Sequence, residues 1–526
     1  MTPPVRRSGL LIPLFSAPST ASWGIGDIGD IATLARWLSA AGQRVLQLLP
    51  LNEMAAGTQS PYSAMSAMAI DPIYIRVPEV DDFAALGPAA LTEQDLAALD
   101  AARSADRVEY ARIRPVKARA LRAAFDRFVE HEWNRGTARA GALRDYIAGE
   151  AWWLHDYALF RAVHDREQGA CWTEWPEAIR RRDADALEAA RASLAHAILF
   201  YEYVQWIAGL QWAAARAHAQ ACGVALFGDL PFMVDLHSAD VWMHQGQFHV
   251  DRSVGVPPDA FSATGQDWGM PAYNWEALDA QGYDWLKDRA RRSAALFDGY
   301  RVDHLVGFYR TYSRPRAGDG DPSFSPDVEE AQVRLGERVL SIFREPGAEI
   351  IAEDLGVVPA FVRASLARLE VPGFRVFRWE RDWDEPGQPF KDPAAYPALS
   401  VATSGTHDTE PLVTWWEQAP VEERAAMAAV PAVAAAAGSV DLLEAPFVPQ
   451  VRDALVEALL ASGSSLVLFP VQDVFGWRDR INEPATVNDD NWSYRLPWPS
   501  DSLDSEPEAV ERCAALRAWT TQYGRS

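Results

Sequence analysis

Short runs of apolar residues recur along the chain, and each run ends in polar or acidic residues before a helical segment or a long loop begins. Continuous apolar runs separated by amphipathic helical patterns are typical of parallel strands that helices cover. Strands are predicted at residues 8–15, 44–51, 224–234, 299–305, 349–355, 374–379, 400–404 and 465–469. Eight such strands favour an α/β fold of the (β/α)8 barrel type, whose functional site is built at the C-terminal ends of the strands.

An open, doubly wound sheet is the alternative α/β arrangement for the same pattern. That fold would be supported by a glycine-rich phosphate loop directly after the first strand. The nearest candidate, Gly24-Ile25-Gly26, lacks a third glycine and does not follow directly on a strand. The pattern therefore favours a closed barrel, formed by one catalytic unit over residues 1–526.

The gap between the second and third predicted strands is far too long for a plain loop. It is rich in Ala, Arg, Glu and Leu at helical spacing, most clearly at residues 118–130, 152–165 and 185–219. These features predict a mostly helical insertion subdomain over residues 76–221.

A second insertion is predicted after the third strand, over residues 238–290. Its segment 255–269 shows neither a helical nor a strand period and is dense in turn residues. Phe261 and Trp268 lie in this segment, and aromatic side chains on a long loop near strand ends suggest a lid that binds a ligand. The alternative is that the two rings only pin the loop to the barrel.

The composition restricts the classes of partner. The chain has 73 acidic and 49 basic residues, a net charge of −24, and such a surface repels nucleic acid and anionic membranes. No apolar run approaches the ~20 residues that cross a bilayer. Arg6-Arg7 and the apolar run after it loosely resemble a secretory signal, but Pro13 interrupts the run, which also fits a buried first strand. Three widely spaced cysteines fit a reduced, cytoplasmic location.

Charged residues collect where the predicted strands end. Arg301 and Asp303 are two positions apart on a strand, so their side chains share a face, and the guanidinium favours the ionised carboxylate. An ordinary buried ion pair is the alternative interpretation. Three further acids lie near strand ends: Asp229, Glu353 and Asp408. No HxH or HExxH spacing occurs, so no metal site is predicted.

The predicted strand order brings two of these acids together. In a barrel the fourth and fifth strands are neighbours about 4.8 Å apart, so Asp303 and Glu353 are expected about 5–5.5 Å apart. That separation suits a retaining glycosidic mechanism in which Asp303 is the nucleophile and Glu353 the acid and base. Asp408 with His407 would hydrogen-bond sugar hydroxyls.

Several short motifs occur in one order along nearly the whole chain. They are Gly24–Asp27, Gln47–Leu51, Ser60–Tyr62 with Ser66, Gly228–Phe232, Ser238–Trp242, Gly255–Asp259, Arg301–His304, Ala352–Gly356, Gly405–Asp408, Gln472-Asp473, Asn482 and Asn491-Trp492. In these motifs the chain resembles the 4-α-glucanotransferases, the amylomaltase or disproportionating enzymes of glycoside hydrolase family 77.

The resemblance implies a TIM barrel with Asp303 as nucleophile, Glu353 as acid and base, and Asp408 as stabiliser of the transition state. It implies transfer of glucan segments between α-1,4-glucans and maltooligosaccharides, without a metal or an organic cofactor. The predicted substrate-binding residues are Tyr62, Asp229, Phe261, Trp268, Arg301, His304, His407 and Asn482. A retaining α-1,4-glucan hydrolase and a non-catalytic glucan-binding protein are the alternatives.

The chain departs from the family pattern at a few positions. Ala260 stands where the family often has Tyr, and Met270 where Asn is usual. Glu53-Met54 and the segment 409–411 are also unusual. The three acids are intact, so we expect these departures to affect acceptor affinity, product size and the ratio of transfer to hydrolysis.

Overall fold

All eight predicted strands are present in the computed structural model, and they close into one parallel barrel. The structure describes residues 5–55, 57–87, 90–258, 265–318, 320–443, 447–484 and 486–525. Within these residues there are twelve strands: β1 Arg7–Leu11, β2 Val45–Gln47, β3 Ala225–Leu230, β4 Phe248–Val256, β5 Gln266–Tyr273, β6 Gly299–Val302, β7 Thr311–Pro315, β8 Ser323–Ser325, β9 Glu349–Ala352, β10 Gly373–Val376, β11 Ser400–Thr403 and β12 Leu466–Pro470.

The barrel order is β1-β12-β11-β10-β9-β6-β3-β2, and β2 pairs with β1 to close it. This order makes β6 and β9, the fourth and fifth barrel strands, direct neighbours, as predicted. The side chains that fill the interior form their own buried apolar cluster: Val45, Phe227, Ile351, Phe374, Val401, Leu466 and Leu468. The space is tight, because a Cβ at Gly299 would lie 2.7 Å from the Phe227 ring. The interior is therefore a packed core, and the site can only lie at its mouth.

The strands are mostly shorter than predicted at their C-terminal ends. The predicted strand 8–15 ends at Leu11, and 299–305 ends at Val302. Short 3-10 turns follow close behind, at Leu14–Ser16, Leu305–Phe308 and Phe377–Trp379. Most of their apolar residues stay buried although they leave the ladder, with Trp379 the exposed exception, so hydropathy alone could not separate these turns from the strands.

Helices surround the barrel and form the insertion between β2 and β3. Outside the insertion they are α1 Ile31–Ala40, α10 Ala239–Met243, α11 Trp275–Ala280, α12 Asp284–Leu296, α13 Glu329–Arg344, α14 Ala360–Arg368, α15 Leu412–Gln418, α16 Val421–Ala428, α17 Pro431–Ala437, α18 Pro449–Leu460, α19 Val471–Phe475 and α20 Pro507–Gln522. None of the described helices combines the length and the apolar character needed to cross a membrane.

The described part of the insertion between β2 and β3 is mostly helical. Its helices are α2 Asp81–Leu86, α3 Glu93–Ser104, α4 Tyr110–Phe128, α5 Ala138–Gly149, α6 Ala151–Arg166, α7 Glu177–Arg180, α8 Ala184–Ser193 and α9 Ala195–Ala221, with a π-helical turn at Val129–Trp133. The predicted helix 185–219 is two helices, because the chain breaks at Leu194, whose backbone leaves the helical region.

The second insertion contains regular structure that the sequence did not predict. β4 and β5 pair in antiparallel fashion with irregular register, and β7 and β8 extend them into a four-stranded sheet. Bulges and turn residues hide the two-residue period of these strands. Residues 259–264, with Ala260 and Phe261, lie outside the described part of the chain.

Candidate active site

The strand register sets the acids at one height around the barrel mouth. Val302, the last residue of β6, pairs with Ala352, the last residue of β9. Asp303 and Glu353 each follow directly on these paired residues, so both acids leave the sheet at the same level. On the other side, Asp229 of β3 pairs with Arg301 of β6.

Arg301 connects three of the predicted acids. Its Nη1 lies 2.9 and 2.8 Å from the two carboxylate oxygens of Asp229. Its Nη2 lies 2.9 Å from Oδ1 of Asp303 and 3.8 Å from Oε2 of Glu353. Oδ1 of Asp303 and Oε2 of Glu353 approach the same nitrogen, so the distance between these two oxygens cannot exceed the sum of their distances to that nitrogen. Both carboxyl groups can therefore reach one sugar ring.

Glu353 is the more enclosed of this pair, with 13% of its side chain exposed. Its Oε2 accepts a 2.8 Å hydrogen bond from the backbone N–H of His304, and its Oε1 accepts one of 3.1 Å from Leu355. Burial raises its pKa to about 7; the Arg301 charge opposes this rise and the Asp303 charge adds to it. Glu353 is thus able to give and take a proton near neutral pH.

Asp303 is more open, with 26% of its side chain exposed at the barrel mouth. One of its oxygens lies 2.9 Å from Nη2 of Arg301, so the carboxyl group is paired with a cation. The two acids therefore differ in surroundings, one buried and able to hold a proton, the other paired with a cation. Such a pair can divide the work of a proton donor and a nucleophile.

Asp408 belongs to a second group on the opposite side of the mouth, after β11. Asn482 Nδ2 donates a 2.6 Å hydrogen bond to its Oδ1, and His407 Nε2 lies 3.3 Å from its Oδ2. Burial disfavours the charge, but His407, Asn482 and Arg301 outweigh it and lower the pKa of Asp408 to about 2. Burial likewise acts against the charged form of His407, whose pKa is nevertheless raised because Asp408 stabilises it.

Tyr62 joins the two groups of acids. Its hydroxyl donates a 2.8 Å hydrogen bond to Oδ2 of Asp229, and its ring stacks on His407 at 5.2 Å between centroids. Trp492 packs against both rings, at 5.6 Å from Tyr62 and 5.7 Å from His407. Trp492 was not predicted as a site residue; its signal was the Asn491-Trp492 motif.

His304 lies between Trp268 of the second insertion and Glu353. Its backbone is left-handed, with φ 43° and ψ 50°, and its half-buried ring meets Trp268 edge to face at 4.9 Å. Burial lowers the pKa of His304 to about 4, so the ring is neutral at pH 7. Trp268 comes from β5, so one ring contact and one hydrogen bond, both through His304, connect the second insertion to Glu353. The predicted residue Phe261 lies outside the described residues.

The structure thus brings together the predicted site residues that it describes. They are Tyr62, Asp229, Trp268, Arg301, Asp303, His304, Glu353, His407, Asp408 and Asn482. Over the described residues, no group of three or more His, Cys, Asp and Glu side chains is arranged to hold a metal ion.

Comparison with known proteins identifies the family and the fold. The sequence profile of the 4-alpha-glucanotransferases, glycoside hydrolase family 77, matches residues 12–501. The chain belongs to the 4-α-glucanotransferase family. The 4-alpha-glucanotransferase of Thermus thermophilus is 34% identical over 528 residues, covering 96% of this chain and 99% of that protein. The chloroplastic/amyloplastic 4-alpha-glucanotransferase of Solanum tuberosum is 31% identical and covers 99% of this chain and 86% of that protein.

A solved structure shares the architecture of this 4-α-glucanotransferase family member. Amylomaltase from Streptococcus agalactiae in complex with acarbose has a TM-score of 0.81 and 26% identity, covering 99% of this chain and 100% of that one. The resemblance to the family, the barrel fold and the assignment to the transferases are confirmed. Glu410 is one of the positions at which the chain departs from the family pattern. It lies in the turn after His407-Asp408, and its Oε1 lies 2.8 Å from Nη1 of Arg378.

Proposed function

We propose that the protein transfers segments of α-1,4-glucan between maltooligosaccharides by a retaining double displacement. The observation that carries this proposal is the approach of Asp303 and Glu353 to one nitrogen of Arg301, with opposite surroundings for the two acids. Two carboxyl groups within reach of one anomeric carbon are what the retaining mechanism requires.

In the first half-reaction, protonated Glu353 gives its proton to the oxygen of the scissile bond while Asp303 attacks the anomeric carbon. The bond from carbon to the leaving oxygen breaks, an ester to Asp303 forms, and the released glucan leaves with a free 4-hydroxyl. In the second half-reaction, ionised Glu353 takes the proton of an acceptor 4-hydroxyl, whose oxygen displaces Asp303. The two inversions give net retention.

The remaining residues bind and orient the sugar in this scheme. Asp408, held ionised by His407 and Asn482, accepts hydrogen bonds from ring hydroxyls and strengthens them as positive charge develops on the sugar. Tyr62 and Trp492 offer aromatic faces, and Arg301 with Asp229 keeps Asp303 in line. Three carboxyl groups around the buried Arg301, with Asp408 across the mouth, favour a neutral, polyhydroxylated substrate over a phosphorylated one.

We further propose that residues 238–290 act as a lid and residues 76–221 as a helical subdomain of one barrel. Trp268 beside His304 would limit access of water to the glycosyl ester while admitting a sugar. This role separates a transferase from a hydrolase that shares the same acids.

Incubation with maltotriose alone tests the function. Transfer gives glucose together with longer and shorter maltooligosaccharides at a constant total of reducing ends. Reducing ends that rise steadily without longer products would instead identify an α-1,4-glucan hydrolase. Tight binding without any turnover of maltooligosaccharides by the wild type would identify a binding protein.

A further inference from the structure

Tyr62 lies near the tip of a hairpin-like segment that follows β2. We call residues 52–70, described except for residue 56, the Tyr62 hairpin. Antiparallel bridges join Asn52 to Ile70 and Met54 to Ala64. Glu53 lies between these bridges, where its N–H donates to the carbonyl of Ala69 at 3.1 Å. Glu53 is therefore part of the stem that presents Tyr62.

The Glu53 side chain contacts the helical insertion. It is 5% exposed, and its carboxylate accepts hydrogen bonds from the Tyr157 hydroxyl and from Nη1 of Arg161, both on α6. The same Nη1 lies 2.8 Å from Sδ of Met65, on the opposite side of the stem. One arginine of α6 thus holds both sides of the hairpin.

A second buried acid fixes the base of the hairpin. Asp71 accepts two hydrogen bonds from Arg114 of α4, of 3.1 and 3.0 Å. It also accepts the backbone N–H of Met54 at 3.1 Å. Two helices of the insertion therefore reach the hairpin through charged side chains.

Close packing does not replace these polar links. A cavity of about 350 Å³ borders the Glu53–Arg161 pair and is lined also by Gly57, His164 and Asp165. Open space therefore adjoins the stem at this pair, and directional hydrogen bonds to buried charges hold the stem there.

We propose that Glu53 is a positioning residue for the transfer reaction: with Arg161 and Tyr157 it fixes the hairpin so that Tyr62 meets the sugar. This inference rests on the proposed function, in which Tyr62 binds substrate. The hydroxyl of Tyr62 must stay 2.8 Å from Asp229 while its ring stays stacked on His407. A small shift of the stem would break both contacts. Even a small misplacement of a group that orients the substrate lowers activity strongly.

A double-mutant cycle on transfer from maltotriose tests the proposal. We expect Glu53→Gln and Tyr62→Phe each to lower kcat/KM about tenfold through the same rise in KM, because one acts through the other. The double variant should then be about tenfold below wild type. A loss of about a hundredfold in the double variant, the product of independent effects, would overturn the proposal.

Asp82→Asn is the matched control. Asp82 is a fully buried acid of α2 that accepts hydrogen bonds from Arg139 and from the Tyr203 hydroxyl, and none of its described contacts reaches the hairpin. We expect it to lower Tm as Glu53→Gln does while leaving kcat/KM of the folded enzyme unchanged. An equal loss of kcat/KM in Asp82→Asn would show that Glu53 acts through general stability, which contradicts the proposal.

Two further measurements keep the outcomes distinct. If Glu53→Gln does not fold, Tyr157→Phe, which removes only a hydroxyl, takes its place in the cycle with the same expectation. If the wild type gives no transfer, the proposed function fails, and the cycle is then measured as affinity for maltotriose. Coupling between the effects of the two substitutions on this affinity still supports a positioning role for Glu53, whereas additive effects overturn it. Wild-type kinetics in Tyr62→Phe would overturn both the binding role of Tyr62 and this inference.

Discussion

The backbone N–H of His304 donates a 2.8 Å hydrogen bond to Oε2 of Glu353. The left-handed conformation of His304 aims this donor at the neighbouring strand; such a backbone is uncommon for residues other than glycine, although asparagine, aspartate and histidine adopt it more often than the rest. A conformation of this kind persists where the surroundings impose it, and here the half-buried ring contacts both Trp268 and Phe232. The proposed lid and the proposed acid are thus joined through a single residue.

Replacement of Asp303 tests the nucleophile. Asp303→Asn is expected to lower kcat by about 10⁴-fold or more, because no glycosyl ester can form, while the thermal unfolding midpoint changes little. Asp298→Asn is the control. Asp298 lies just before β6, at the end of the strand opposite to Asp303, and pairs there with Arg216. Steady-state transfer from maltotriose measures both. Comparable activity of Asp303→Asn and wild type would refute the assignment.

The pH dependence of activity should report Glu353. Free enzyme needs this residue protonated for the first half-reaction, and burial, with Asp303, raises its pKa to about 7 against the effect of Arg301. We expect kcat/KM for maltotriose to fall about tenfold per pH unit above pH 7. A kcat/KM that stays flat to pH 9 would contradict a proton donor with this pKa.

Because its pKa is raised, ionisation of Glu353 at alkaline pH destabilises the folded protein. The folded state holds this proton more tightly than the unfolded chain, so between about pH 4.5 and 7 the folded state binds more protons and the free energy of unfolding falls as pH rises. Glu353→Gln cannot ionise and should raise Tm relative to wild type more at pH 8 than at pH 4.5. The pH-dependent contribution of Glu353 to the free energy of unfolding is on the order of 3 kcal/mol. Equal differences in Tm between variant and wild type at both pH values would contradict this prediction.

Removal of the Trp268 ring should change how often the glycosyl ester is hydrolysed and how often it is transferred to a sugar. Trp268→Ala opens the space beside His304, and we expect a severalfold rise in the ratio of hydrolysis to transfer with maltotriose. New reducing ends and chain-length distribution measure this ratio. Trp133→Ala, which removes a half-buried ring of the helical insertion that contacts Arg144, is the control and should leave the ratio unchanged. A ratio unaffected in Trp268→Ala would assign Trp268 to anchoring the loop.

The sequence by itself determined the barrel and the height of its acids. Eight apolar runs had to be buried on both faces, and parallel strands put their C-terminal residues at one edge. Asp303 and Glu353 could therefore be placed side by side from chain order alone. Short motifs in a fixed order then carried the family assignment, which the profile match confirmed.

Only the tertiary structure decided the surroundings of these residues. Bulges hide the two-residue period of β4 and β5, so the sheet that they form could not be predicted. Trp492 reaches Tyr62 from a distant part of the chain. The raised pKa of Glu353 and the hold of Arg161 on Glu53 depend likewise on burial and on distances between remote residues, which the order of residues along the chain does not contain.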